Sequence, residues 1–536
     1  ISKINDDSVA YLNVCGNYKE LLNYYAIIVA DKATIELVSQ EDVIDYVEKP
    51  KSLYYQIERT KTAACVGSVR ADGNILSGKG VIVGVIDTGI DIFDNAFRNS
   101  DGTTRILNIY DQTTGEKYDK QSIDEYIRLN EDLSGGTFSY DNAPGVDNIM
   151  HGTDVSYIAA GSLGVAYEAD IIAVKMGYSI NNQFPRTTSL MDAIDYIIRK
   201  AIEYRKPVAV NISYGCNYGA HNGNTLLESF IDDISKSYRC VICVGSGNEA
   251  DKAIHFGGII NTGQVQTAYL SVGEYQSAID IQIWKNYWDT IDVMLINPRG
   301  EQIGIITEGR INRYETYNTE IITLLGEPSP YNIYQEIYIN LIPKTDYILS
   351  GIWQIVLMAG SIRAGEYNIW LPSSQALGYA TAFNNPTADG TITIPATARN
   401  CIAVGAYNAY TNSYAAFSGR GFDNSIRNVN AGVKPDITAP GVDISIARQR
   451  GNDITYRNVT GTSYAVPVVT GAAALLMQWG IVMGNDRFMY GEKLKAALID
   501  GSKPVGLVGI TRNDNQPDPR TGWGAVCLKN TLNKIL

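Results

Sequence analysis

Histidine is nearly absent from this chain, with three residues in 536. Any chemistry that needs an imidazole therefore has few places to sit. Phenylalanine is scarce too, 10 residues against 36 tyrosines, a balance that suits half-buried β-surfaces better than a helical bundle. Basic residues are outnumbered, 44 to 57, for a net charge of −13. Nucleic acid and anionic membrane both need a basic face, so neither is expected as the main partner. No run approaches ~18 consecutive apolar residues, and no membrane span is expected. The seven cysteines (15, 65, 216, 240, 243, 401 and 527) are odd in number and scattered. A disulfide framework is not expected, and a reducing place of synthesis fits better. The first residues, Ile1 to Asp7, are polar and lack the apolar core of a secretory signal. The missing initiator Met leaves room for a removed leader.

What is present is 45% hydrophobic and 19% charged residues, enough for a large core. Length alone suggests roughly 3 or 4 domains. Residues 1–70 read as a small unit that leans on something larger. In it a helix is expected over 18–23, a strand at Tyr25-Ala26-Ile27-Ile28-Val29, and an acidic turn before Val43. From about 78 the pattern becomes α/β. Val81-Ile82-Val83-Gly84-Val85-Ile86, Ile171-Ile172-Ala173-Val174, Val208-Ala209-Val210-Asn211-Ile212 and Val241-Ile242-Cys243-Val244 are continuous apolar runs. Leu190, Ile194, Ile197, Ile198 and Ala201 recur between them at helical spacing. That predicts a parallel sheet covered by helices, with chemistry at the carboxyl ends of the strands. Over 256–385 short alternating strands predict an inserted antiparallel sandwich or jelly roll: Ile279, Ile281, Ile283; Ile291, Val293, Leu295; Trp353, Ile355, Leu357; Tyr367, Ile369, Leu371. The α/β pattern resumes over 386–536, so 71–255 and 386–536 form one catalytic unit. Cys240 and Cys243 form a CxxC, but three residues apart on a strand they face opposite sides and cannot share a metal.

Three segments carry chemistry. Asp87-Thr88-Gly89 ends a buried strand; DTG also occurs in aspartic proteases. His151-Gly152-Thr153 opens an apolar helix, and Gly461-Thr462-Ser463 leads into an Ala/Gly-rich helix. A serine hydroxyl needs an adjacent base to become a nucleophile. His151 suits that role, and Asp87 would fix its tautomer and stabilise the imidazolium. Ser463 at a helix N-terminus gains from the positive dipole end. Gly245-Ser246-Gly247-Asn248 follows another strand, and the Asn248 amide with the Ser463 backbone N–H would serve an oxyanion.

These residues resemble the subtilase (S8) family. Gly164-Val165-Ala166 is similar to its GVAPxA segment, and Lys434-Pro435-Asp436 through Gly441 to its KPDxxAPG stretch. Ser213-Tyr214-Gly215 is similar to the edge that pairs with substrate backbone by β-augmentation. The sequence departs from the family after HGT, with Asp154 for the usual His and Ser156-Tyr157 for Ala-Gly. Tyr464 stands for the usual Met and Val468 for the usual His after the nucleophile. A narrower resemblance, carried by Val47 to Tyr54 and by Asp101-Gly102-Thr103-Thr104-Arg105-Ile106, is to the Csp-type germination proteases of spore-forming clostridia.

The resemblance implies a subtilisin-like fold and a serine endopeptidase acting on protein substrates, with a spore-cortex zymogen as the natural one. It implies an N-terminal propeptide acting as chaperone and inhibitor, with self-cleavage expected near Val69, Arg70 and Ala71. It also implies a rigidifying or docking role for the insertion, and a protein associated with spores or released from a bacterium. No cofactor is expected to be required. Structural calcium enters by analogy alone, since no compact run of carboxylates has loop-ligand spacing. The alternative is a catalytically silent pseudoprotease that binds or signals, against which stand the intact Asp87, His151, Ser463 and Asn248. A third reading makes the inserted β-module, as a carbohydrate- or protein-binding unit, the functional part.

Overall fold

The computed structural model describes residues 2–3, 17–42, 44, 46–48, 54–55, 63–66, 70–71, 74–134, 143–177, 184–305, 311–327, 329–422, 432–450, 453–506 and 517–536. Its centre is a nine-stranded sheet. Across it run Ser413–Tyr414, Ile402–Asn408, Cys240–Gly245, Val208–Ile212, Ile82–Asp87, Asp170–Lys175, Ile106–Asp111 and Lys117–Asp119, and Ile437–Pro440 pairs with Ile402–Asn408. All pairs are parallel except those of the two outermost strands. The strands after Ile82–Asp87 build outward on both of its sides. The sheet therefore has its topological switch point at the carboxyl end of that strand, where Asp87 sits.

The continuous apolar runs exist because both faces of this sheet are covered. Val81, Val83 and Val85 pack into a core with the helices His151–Ala160 and Thr462–Met477. Ile82 and Ile86 pack into a second core with Thr187–Tyr204 and Leu226–Ser237. Gly84 lies under the second pair, where a Cβ would come within 2.7 Å of Ile197. The stretch Thr462–Val482 is long and apolar enough to cross a membrane by length alone, but 83% of its apolar window is buried within the protein. Its small residues, Ala472, Ala473 and Ala474, let it run through the core.

The N-terminal unit is a three-stranded antiparallel sheet (Ser2–Lys3, Tyr25–Val29, Asn17–Glu20) with a helix at Lys32–Val38 capped by Asp31. The helix expected over 18–23 is not there: Asn17–Glu20 is a strand and Leu22–Tyr24 a single 3-10 turn. Pairing of Tyr18 with Ile28 and of Glu20 with Ala26 outweighs a weak local preference. The unit's own core is small, Ala26, Val38 and Ile44. Leu21 and Tyr25 bury instead in the core beneath the second pair of helices, and Tyr25 lies edge-on to Phe230 with ring centroids 5.1 Å apart. Leu22 N–H donates to Asp195 and Leu226 N–H to Glu48, so the unit leans on the larger one, as its size requires.

The expected sandwich is formed by two antiparallel sheets. One has six strands, from His255–Ile259 through Ile279–Asn286 to Ile311–Glu315; the other has five, centred on Gly351–Ala359. The alternating residues expected from the sequence form their shared core. Tyr331 of this module meets Tyr46 of the N-terminal unit at 5.8 Å between ring centroids.

Cys240 and Cys243 are buried on opposite faces of their strand, one in each core. The expectation that cysteines stay unpaired fails at one place. Cys65 and Cys527 form a disulfide across 462 residues, with Cα atoms 4.8 Å apart. Leu528 N–H donates to Ala64 O, a backbone bond that holds the two segments together beside the disulfide, and the Lys503 ammonium donates to Ala63 O. Burial pushes the thiols of Cys240 and Cys243 up to about 12 and that of Cys401 up to about 11. Native protein at pH 8 is therefore expected to leave these three unalkylated, with labelling only after denaturation. Peptide mapping without reductant should recover Cys65 and Cys527 as one cross-linked pair; alkylation of Cys65 without reduction would contradict the pairing.

Candidate active site

A strand end and a helix start meet at Asp87. It closes the central strand, and His151 opens a helix whose start lies directly above it. This approach needs Gly152, because a Cβ there would fall 2.3 Å from Gly89 O and 2.9 Å from Asp87 Cβ. The helix has no cap at Met150, and Asp147 does that work from three residues further back. Its Oδ2 accepts from Thr153 N–H (2.8 Å) and Thr153 Oγ1 (2.7 Å); its Oδ1 accepts from Met150 N–H and Thr88 Oγ1, both 2.7 Å. Thr88 Oγ1 in turn accepts from Gly152 N–H at 2.9 Å. The threonines of DTG and HGT are thus the two halves of one clamp, and the orphan donors of the helix start are satisfied.

Within this frame His151 Nδ1 lies 2.6 Å from Asp87 Oδ1, and both residues are buried. A carboxylate only accepts, so Nδ1 carries the proton and Nε2 is left with its lone pair. Thr88 N–H donates to the same Oδ1 at 2.8 Å and fixes the carboxylate plane. The ring of Tyr464, which follows Ser463, lies 5.2 Å from the imidazole between centroids.

Ser463 sits in the first turn of Thr462–Met477. Pro467 within this helix has no N–H to give to Ser463 O. That carbonyl accepts from Ser213 Oγ at 3.3 Å instead, and Asn211 Nδ2 donates to Ser213 Oγ at 3.0 Å. A proline that would weaken an ordinary helix here ties the serine to the edge segment 213–215. Ser463 Oγ is buried and makes no hydrogen bond among the described residues. Asn248 lies across from the helix start, where its Oδ1 accepts from Thr462 N–H (3.0 Å) and Thr462 Oγ1 (3.1 Å). With the oxygen so held, the amide's N–H₂ end faces away from Thr462 and can serve a developing oxyanion with the helix N-terminus. Burial pushes the carboxyl of neighbouring Glu249 up, and it accepts from Ser373 Oγ, Ser374 N–H and Ser374 Oγ. It thereby holds the exit of the β-sandwich beside Asn248.

Tyr214–Gly215 is already paired, because Tyr54–Tyr55 runs antiparallel to it, with Tyr54 opposite Gly215 and Tyr55 opposite Tyr214. Of the segment expected to be cut, Val69 falls outside the described residues, and Arg70–Ala71 pairs antiparallel with Asn74–Ile75. Asp87, His151, Ser463, Asn248 and the Ser213–Gly215 edge are thus gathered at one place. Thr462, Asp147, Glu249 and the Tyr54–Tyr55 strand are additions that no spacing in the sequence pointed to. Among the described residues no group of three or more His, Cys, Asp or Glu side chains gathers to hold a metal.

Residues 78–328 and 364–524 match the family model described as the subtilase family. The chain belongs to the subtilase family. A solved structure of the Clostridium perfringens CspB protease superposes on this subtilase with a TM-score of 0.79 and 34% identity, over 88% of this chain and 96% of that one. The subtilase-type proteinase RRT12 of Saccharomyces cerevisiae is 33% identical over 128 residues, 23% of each chain. Subtilisin-like protease 10 of Arthroderma otae is 34% identical over 120 residues, 22% of this chain and 27% of that one. The matches to these curated relatives span about a quarter of their length.

Replacing Asn248 with Ala is expected to lower kcat on a peptide substrate by about a hundred- to a thousandfold, near 3 kcal/mol of barrier, with KM little changed. Thr462→Val, which frees the amide without removing it, should cost less. Unchanged turnover in Asn248→Ala would remove Asn248 from the site.

Proposed function

We propose that this subtilase is a serine endopeptidase with Ser463 as nucleophile, His151 as general base and Asp87 as the group that orients and stabilises the imidazolium. The observation that carries the reading is the 2.6 Å bond from His151 to a buried carboxylate, on a helix packed against the one that carries Ser463 in its first turn. His151 Nε2 takes the Ser463 proton as Oγ attacks the scissile carbonyl. Asn248 and the Ser463 backbone N–H hold the oxyanion. The protonated imidazole then delivers its proton to the leaving amine, and water resolves the acyl-enzyme by the same route.

In this reading residues 1 to about 56 are a propeptide that blocks the cleft until it is cut, and remains docked through Tyr25 and Glu48. Tyr54 and Tyr55 oppose Gly215 and Tyr214, and the cut is proposed just past this strand, after the next residue in the sequence, Gln56. Ser213 Oγ touches Ser463 O, so the edge that Tyr54–Tyr55 occupies leads to the nucleophile. A cut after Gln56 is the alternative to the one expected at 69–71. The Csp-type resemblance supports a germination role, with a protein zymogen as substrate.

Intact mass of wild type beside Ser463→Ala, without and with reductant, tests this. Wild type should give an N-terminal piece ending at Gln56 under both conditions, and the variant should stay whole. A cut at 69–71 leaves Cys65 on the N-terminal piece, which would then separate only on reduction. Processing of Ser463→Ala, or an uncut wild type, would contradict self-cleavage.

A further inference from the structure

Asp154 stands where relatives usually carry a second histidine, one helical turn after His151. Its side chain is fully buried, and a carboxylate without partners there would be costly. Two arginines meet it. Arg448 donates to Asp154 Oδ1 through Nε (3.0 Å) and Nη2, and Arg457 donates through Nη2 to Asp154 Oδ2. Both reach past the carboxylate to the carbonyl of Met150, the residue before His151, at 2.9 Å from Arg448 Nη2 and 3.5 Å from Arg457 Nη2. Met150 has a left-handed backbone, φ 67°, and its carbonyl also accepts from Asp154 N–H at 3.3 Å, so the arginines meet the oxygen that begins the helix.

The two arginines belong to facing strands of one hairpin, Ile444–Arg450 and Asp453–Val459. Arg457 opposes Ile446 and Arg448 opposes Thr455, so they are diagonal neighbours on one face. The second strand runs through Thr460 and Gly461 directly into Thr462 and Ser463. One end of the cluster therefore grips the helix of the base, and the other is continuous with the nucleophile.

We propose that Asp154, Arg448 and Arg457 are positioning residues, a charged clamp that sets the register of His151 against Ser463. The proposal rests on the reading of His151 as the general base. None of the three touches the reacting atoms; they act through the Met150 carbonyl and the hairpin. The departure from the family pattern at 154 and the two arginines go together, since the buried carboxylate takes its partners from this hairpin.

The clamp carries one net positive charge, two arginines less one aspartate. Among the described residues, the other charged or titratable groups facing the start of this helix include Asp87 from the central strand, Asp147 from the preceding loop, Asp91, whose N–H donates to Thr153 Oγ1, and Tyr464 against the imidazole. Variants of the clamp leave these in place. The pH profile of kcat/KM on a fluorogenic peptide carrying Tyr-Tyr-Gln before the reporter distinguishes positioning from simple bracing. Asp154→Asn raises the local charge to two and should move the acid limb down by about one pH unit; Arg448→Met and Arg457→Gln lower it to zero and should move the limb up by a similar amount. In Asp154→Asn and Arg448→Met kcat should fall about ten- to a hundredfold, with KM within about threefold. The double variant Asp154→Asn/Arg448→Met restores one net charge, so its limb should return to the wild-type position while kcat stays low. Arg457 is 42% exposed at its side chain, so Arg457→Gln keeps the test alive if the buried variants fail to fold. Limbs that coincide with wild type in all variants, whatever their melting temperatures, would overturn the clamp. Absence of turnover in wild type would instead overturn the protease reading on which it rests.

Discussion

The His151–Asp87 contact exists only because a helix start can approach a strand end without a side chain between them. Gly152 supplies the space, and Asp147 supplies the acceptors that an uncapped helix start lacks. Without that pair of conditions the imidazole could not sit 2.6 Å from a buried carboxylate, and its tautomer would be undefined. The rest is arranged around this junction. The parallel sheet puts Asp87 at its switch point, the second helix of the same face brings Ser463, and Pro467 leaves the serine's carbonyl for Ser213.

Ser213 then links chemistry to recognition. The same short segment that holds the Ser463 carbonyl offers its backbone to a passing strand, and Tyr54–Tyr55 takes that offer within the same chain. A protease with an open edge beside its nucleophile invites any extended peptide. In the proposed reading, the N-terminal segment that occupies this edge keeps the protease silent until it is cut. The β-sandwich contributes from two sides, through Tyr331 against the N-terminal unit and through Ser373 and Ser374 on Glu249 beside Asn248.

Much of this was legible in the sequence because buried parallel strands and short catalytic motifs are local signals. The four apolar runs became four strands of one sheet, and the alternating residues of the insertion face a common core. What stayed hidden depends on distant partners. Residues 18–20 extend because residues 26–28 pair with them, against the helix their own pattern suggested. Cys65 finds Cys527 across 462 residues, and neither position signals the other. Asp154 was visible as a departure, but Arg448 and Arg457 lie about 300 residues away, and nothing in their own neighbourhood marks them as its partners. Tyr54–Tyr55 could be matched to Tyr214–Gly215 only after folding set one against the other.

The central claim is that Ser463 is a nucleophile activated by His151. Its most direct test is covalent capture: processed protein treated with a fluorophosphonate, with the adduct located by peptide mapping. One adduct per chain on Ser463, lost in His151→Ala while that variant keeps its melting temperature, is the outcome this account predicts. No adduct on a folded wild type, or labelling that persists without His151, would contradict it and leave a folded subtilase scaffold that binds without cutting.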